Sequence, residues 1–133
     1  VSEENVELVR RTFDAFEVGG FEAMMPLFSD EVVWYAAPGW LEDLEYRGHD
    51  GTRKLTSFWA ENINDFSLVA RDIRDLQDRV LVLVELTGRT KEGDIPLHQL
   101  SAMVYSRFHG GTIGEVRFYI TWQDALAAVG LDN

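Results

Sequence analysis

Apolar residues recur at three- and four-residue spacing at the start of the chain, at Val6, Val9, Phe13 and Phe16. That is the period of one helix face. Ser2 is a suitable N-cap, and Glu3 and Glu4 fill the first turn, where the helix dipole favours negative charge. Gly19-Gly20 stops the helix. Phe21, Met24, Met25, Leu27 and Phe28 are the apolar set of a second, shorter helix that Pro26 kinks or shortens. The period then changes. Glu31 to Ala36 is β-branched and aromatic, which predicts a strand. Residues 37–48 hold Pro38, Gly39 and Gly48 and predict a loop. The helical period returns from Asp50 to Asn62, through Leu55, Phe58 and Trp59.

Strands dominate the rest of the chain. Phe66 to Leu76 alternates imperfectly, and Arg79 to Thr90 contains the unbroken apolar run Val80–Val84. Leu97 to Phe108 and Thr112 to Trp122 form a strand pair across the turn His109-Gly110-Gly111. A last helix, Gln123 to Val129, ends at Gly130, a good C′ residue. The order is α-α-β-α-β-β-β-β-α. Helices gather early and strands late, which predicts an α+β fold with an antiparallel sheet rather than an alternating parallel one. Long antiparallel strands on a small chain twist and curl. The expected shape is a cone: a curved antiparallel (mixed) sheet wrapped around N-terminal helices, with an open pocket.

Length and charge narrow the function. A chain of 133 residues makes one domain, 1–133, and can bury a core without staples. Twelve Lys and Arg against 23 Asp and Glu give a formal charge of −11. That argues strongly against a nucleic-acid binder, which needs a basic face, and against docking on anionic lipid. No apolar run approaches membrane-spanning length. The polar, acidic start is the opposite of a signal-peptide n-region. There is no Cys, which removes disulfides, thiolate catalysis and cysteine metal sites, and fits a reducing, cytoplasmic setting.

Several stretches carry a family likeness. They are Asn5-Val6-Glu7-Leu8-Val9-Arg10-Arg11, Asp30-Glu31-Val32-Val33-Trp34 and Tyr46-Arg47-Gly48-His49-Asp50-Gly51. Phe118-Tyr119-Ile120-Thr121-Trp122-Gln123-Asp124-Ala125-Leu126 carries it furthest. The chain resembles the SnoaL-like branch of the nuclear transport factor 2-like superfamily, which also holds ketosteroid isomerases and limonene epoxide hydrolases. The resemblance implies a cone-shaped α+β barrel with a pocket inside, often built as a homodimer through the outer sheet face. It is specific for fold and weak for function, because this superfold hosts many unrelated activities. Similar sequences usually have an acidic residue at the position of Thr121, the proton-transfer group of the cyclases, and often a His at that of Met103. Both positions are chemically inert here.

Alternation puts Glu115, Arg117, Tyr119 and Thr121 on one face of the last strand, and Val116, Phe118 and Ile120 on the other. The resemblance implies that the first set faces the pocket. On the partner strand Ser101, Met103 and Tyr105 share a face. Arg117, Tyr119, Thr121 and Tyr105 would then be hydrogen-bonding groups in an apolar wall, as a site for an oxygen-bearing hydrophobic ligand requires. Trp34 and Trp59 line the same pocket while belonging to the core. Trp40 and Leu41 lie in the loop, where they could flap over the mouth or pack on a partner. Glu85 stands among Val and Leu; facing inward it would be a general acid or base, facing outward a solvated or paired carboxylate. His49, beside Gly48 at the mouth of the third helix, is the second acid–base candidate. His98 and His109 are not in ligand spacing with it or with each other, so no metal site is expected.

Three functions are compatible with this pattern, none needing a cofactor. One is a cofactor-independent isomerase, cyclase or hydrolase acting on an apolar oxygenated molecule, with Glu85 and His49 as acid–base groups and Tyr105 and Tyr119 orienting substrate. The second is a non-catalytic small-ligand binding protein on the same cone. The third is a dimeric interaction protein with a vestigial pocket, using Val116, Phe118 and Ile120 with Leu100, Ala102 and Val104 as its interface.

Overall fold

A computed structural model describes residues 2–36 and 45–131. The expectations for the Ser2 cap and for Pro38, Gly39, Trp40 and Leu41 concern side chains outside the described set. Helix α1 (Ser2–Met24) lays Leu8, Val9 and Thr12 into the core, on the face the apolar spacing predicts. It is broken at Gly20, whose φ of 76° and ψ of −165° are not helical. A 3₁₀ turn, Met25–Leu27, comes next, with Pro26 near its start. The expected second helix is therefore only the last turn of α1 plus this short turn. Phe28 instead opens strand β1 (Phe28–Tyr35).

Strand β2 (Glu45–Arg47) falls where a loop was expected, and helix α2 (Gly48–Asn62) succeeds it. Three residues are too few to show a period, and only Tyr46 of the three is buried. Strands β3 (Ile63–Asp75), β4 (Val80–Thr90), β5 (Pro96–Ser106) and β6 (Ile113–Tyr119) agree with the sequence pattern to within a few residues. The β5–β6 turn has φ values of 58° at Gly110 and 78° at Gly111, with His109 and Thr112 exchanging backbone hydrogen bonds of 3.0 Å across it. Both central positions thus use the left-handed region that glycine tolerates. Helix α3 (Trp122–Ala128) closes the described chain.

The strands form one sheet in the order β2-β1-β6-β5-β4-β3. All neighbours are antiparallel except β1 and β6, which run parallel. The architecture is the expected α+β one, with a six-stranded mixed sheet that is not closed. No helix among the described residues is long and apolar enough to cross a membrane.

Register decides which side chains share a face, because residues directly opposite each other across a ladder point the same way. Val82 pairs with Met103, which pairs with Phe118. Val80, Tyr105 and Val116 form the next such row. These rows belong to the main core under α1 and α2, with Trp34 and Trp59. The intervening rows, Leu83–Ala102–Tyr119 and Leu81–Val104–Arg117, face outward. There α3 covers the middle of the sheet with Ala125, Trp122 and Leu126. Strand β4 is thus buried on both faces, which explains the unbroken apolar run Val80–Val84.

Candidate functional site

The interior of the cone is lined by aromatic rings. Trp34 lies 5.7 Å from Phe118 and 4.9 Å from Phe28, centroid to centroid. Trp59 stacks on Phe66 at 5.4 Å and on Phe21 at 5.9 Å, and meets Phe118 edge-on at 5.5 Å. The rings leave a narrow void of about 20 Å³ bordered by Trp34, Trp59, Met103 and Tyr105. That is room for one water and no organic molecule. The indole N–H of Trp34 is satisfied, donating to Thr52 Oγ1 at 2.8 Å, while the Thr52 hydroxyl donates to Gly48 O at 2.8 Å.

Polar groups on this wall are few. Tyr105 is 2 % exposed, and its hydroxyl donates to Met103 Sδ at 3.6 Å. A thioether is a weak acceptor, and the Thr12 hydroxyl is the phenol's other polar neighbour. Burial pushes its pKa well above the ordinary 10.0, and the Thr12 hydroxyl beside it lowers it by a smaller amount. Tyr105 is therefore a protonated donor throughout the neutral range, not a base. Further along the inner face of β5, the buried Ser101 Oγ has no hydrogen-bond partner among the described residues.

The acid–base candidates lie elsewhere. Glu85 sits opposite Val69 and Leu100, on the outer face. It accepts from Arg71 Nε at 2.6 Å, and its other oxygen lies 2.5 Å from His98 Nε2. Hydrogen bonds from His98 and Arg71 hold its carboxyl below the ordinary 4.5. A lowered, ion-paired carboxylate outside the cone is the reverse of a desolvated interior acid. His49 is held by the start of β1, with Nε2 2.9 Å from Phe28 O, and does not border the void.

Arg117 and Tyr119 also lie outside. Their cross-strand partners Val104 and Ala102 face α3, so the facing assigned to the last strand is inverted and Val116 and Phe118 point inward instead. Arg117 donates to Glu115 at 2.9 Å, and its guanidinium lies 4.1 Å from the Tyr35 ring centre. Arg107 joins at 3.0 Å, so the nearly buried Glu115 is paired twice. Thr121 is not on the strand. It caps α3, its hydroxyl accepting from Asp124 N at 3.0 Å. The structure thus brings Trp34, Trp59, Met103 and Tyr105 together and separates them from Glu85, His49, Arg117, Tyr119 and Thr121. The expected interface is corrected too: Val116 and Phe118 are core, and Ala102 and Val104 lie under α3.

A family profile described as SnoaL-like domain matches residues 9–116. The chain belongs to the SnoaL-like family. Solved structures agree on the fold. A nuclear transport factor 2-like protein from Burkholderia xenovorans is 22 % identical with a TM-score of 0.72, covering 98 % of this chain and 97 % of its own. A SnoaL-like polyketide cyclase, so named provisionally, from Jannaschia is 15 % identical with a TM-score of 0.75, over 98 % and 94 %. A protein from Catenulispora acidiphila with a ketosteroid isomerase-like fold, solved in complex with trimethylamine, is 18 % identical with a TM-score of 0.73, over 94 % and 93 %. No curated protein matches the sequence.

Within this SnoaL-like chain, sequence reasoning missed the helix side of the wall. Thr12, Phe13 and Phe16 from α1 and Leu68 from β3 border the void. For Phe13 and Phe16 the signal was present in the apolar helix face Val6, Val9, Phe13 and Phe16. Among the described residues no three His, Asp or Glu are placed to hold a metal.

Proposed function

We propose that this SnoaL-like protein binds a neutral, ring-bearing, oxygenated small molecule against the inner face of its sheet, and that Glu85 and His49 take no part in proton transfer there. The observation that carries this is Tyr105: a buried phenol on an aromatic wall, whose proton points to a thioether, a weak acceptor, with the Thr12 hydroxyl beside it. A ligand carbonyl is a better acceptor, and the surrounding rings suit a flat apolar body. The void of about 20 Å³ requires a ligand to displace side chains as it enters. The isomerase, cyclase and hydrolase readings lose support because the described wall holds no carboxylate or imidazole. One protein of related fold was solved in complex with a small molecule, trimethylamine.

The test is a panel of apolar ketones, epoxides and lactones, monitored by thermal shift and by turnover in the same samples. Stabilisation without turnover, reduced in Tyr105→Phe, supports binding. Turnover abolished by Glu85→Gln or His49→Ala would overturn the reading.

One observation favours a second reading, a homodimer with a vestigial pocket. Val69 and Leu100 flank Glu85 in a single row of the outer face and are 40 % and 45 % exposed. Sedimentation of wild type and Leu100→Glu distinguishes it: a dimer converted to monomer by this substitution, with no ligand response anywhere in the panel, supports this reading over the first.

A further inference from the structure

A ligand bound against the inner wall needs a route to the void, and the architecture of α1 supplies one. An open groove of about 1110 Å³ runs between α1 and β3, lined by Arg10, Asp14 and Glu17 on one side and Ser67, Arg71 and Asp72 on the other. Phe13, Phe16 and Leu68 border both this groove and the inner void. They are the partition between solvent and the aromatic interior. Two of the three belong to α1.

The helix is divided where such a partition would pivot. Gly20 has φ 76° and ψ −165°, a region that only glycine occupies without strain. Val18, just before the break, is 91 % exposed. The segment after the break is fastened: Phe21 stacks on Trp59, Met24 is buried, and Glu22 pairs with Arg53 of α2 at 3.2 Å. The segment before it rests on apolar contacts, chiefly Leu8, Val9, Phe13 and Phe16 against the sheet, with Thr12 beside Tyr105.

We infer that residues 5–18 of α1 are a lid hinged at Gly19-Gly20, which opens the groove into the interior by carrying Phe13 and Phe16 away from the wall. This inference rests on the proposed ligand site for its purpose but not for its motion. Opening removes Thr12 from Tyr105, so the same movement that admits a ligand frees the phenol to meet it.

Hydrogen exchange on the ligand-free protein tests the motion by itself. The lid predicts that amides 8–18 exchange as one unit, at least about 100-fold faster than those of β4 and β5. In Gly20→Ala the added methyl meets no atom within 4 Å, but its φ of +76° is strained, so the closed form is disfavoured. Exchange over 8–18 should then rise by about 10-fold with β4 and β5 unchanged. A steady slowing from residue 5 to residue 18 is terminal fraying and overturns the lid. So does exchange at the rate of β4 and β5. Should Gly20→Ala not fold, the wild-type pattern decides alone. Because no ligand is present, failure of the lid and failure of the ligand site are separate results.

Discussion

The two faces of the sheet are built from the same strands, and both bury apolar rows, but they differ in where they hold charge. Inside, Val82, Met103 and Phe118 form one row and Val80, Tyr105 and Val116 the next. On the outer face stand Glu85 with Arg71 and His98, and Glu115 with Arg117 and, just past β5, Arg107. Among the described residues, every ion pair that involves a β4, β5 or β6 carboxylate is thus on the outer face. Charge there is matched by charge, while the inner wall offers a phenol among rings, with Met103 Sδ and the Thr12 hydroxyl beside it. In a protein with a formal charge of −11, acids are abundant. Their placement, not their number, is what separates binding from acid–base chemistry.

Four substitutions break or sharpen this contrast. Trp59→Ala removes the ring that meets Phe21, Phe66 and Phe118. It should cost about 3–5 kcal/mol in chemical denaturation, the range for emptying a buried aromatic position. Tyr105→Phe tests the inner wall by pH. The folded phenol's pKa lies above 10.0, so its contribution is fully present below 10.0 and is lost as pH rises beyond it. The wild type should therefore lose stability above pH 10 more steeply than the variant.

Glu85→Gln tests the outer face with the opposite sign. The folded pKa is depressed below 4.5, so the stabilisation is present above 4.5 and disappears as pH falls through the folded value. The difference in urea midpoint between wild type and variant should be constant at neutral pH and vanish on acidification, with ligand affinity unaltered. Thr121→Asp is the smallest. Asp caps helices as well as Thr does, so stability should change by no more than about 0.5 kcal/mol. It should confer no turnover, since position 121 caps α3 rather than lining the interior.

Much of the fold was legible because its elements carry clean periods. The face Val6, Val9, Phe13 and Phe16 specified α1, and His109-Gly110-Gly111 specified the β5–β6 turn. Strand β2 was not legible, since Glu45-Tyr46-Arg47 is a strand only through its pairing with β1. The site was half legible. Met103 and Tyr105 follow from alternation on β5, and Trp34 and Trp59 from aromatic clustering. The facing of β6 did not follow. Its outer residues Tyr119 and Arg117 are polar-tipped, as a pocket would want, and its inner ones, Val116 and Phe118, look like an interface. Only the register against β5 separates the two. Glu85 was undecidable for a related reason: α3 buries the outer face of β4, so its apolar neighbours mark neither side.

The central claim is that the inner wall binds and does not transfer protons. It is tested most directly by titrating wild type and Tyr105→Phe with the best-stabilising neutral ketone of the panel while monitoring turnover. The account predicts saturable binding by the wild type, about 10-fold weaker binding by Tyr105→Phe, as loss of one hydrogen bond implies, and no product from either. Equal affinity in the two proteins, or product formation that depends on Glu85 or His49, would contradict it.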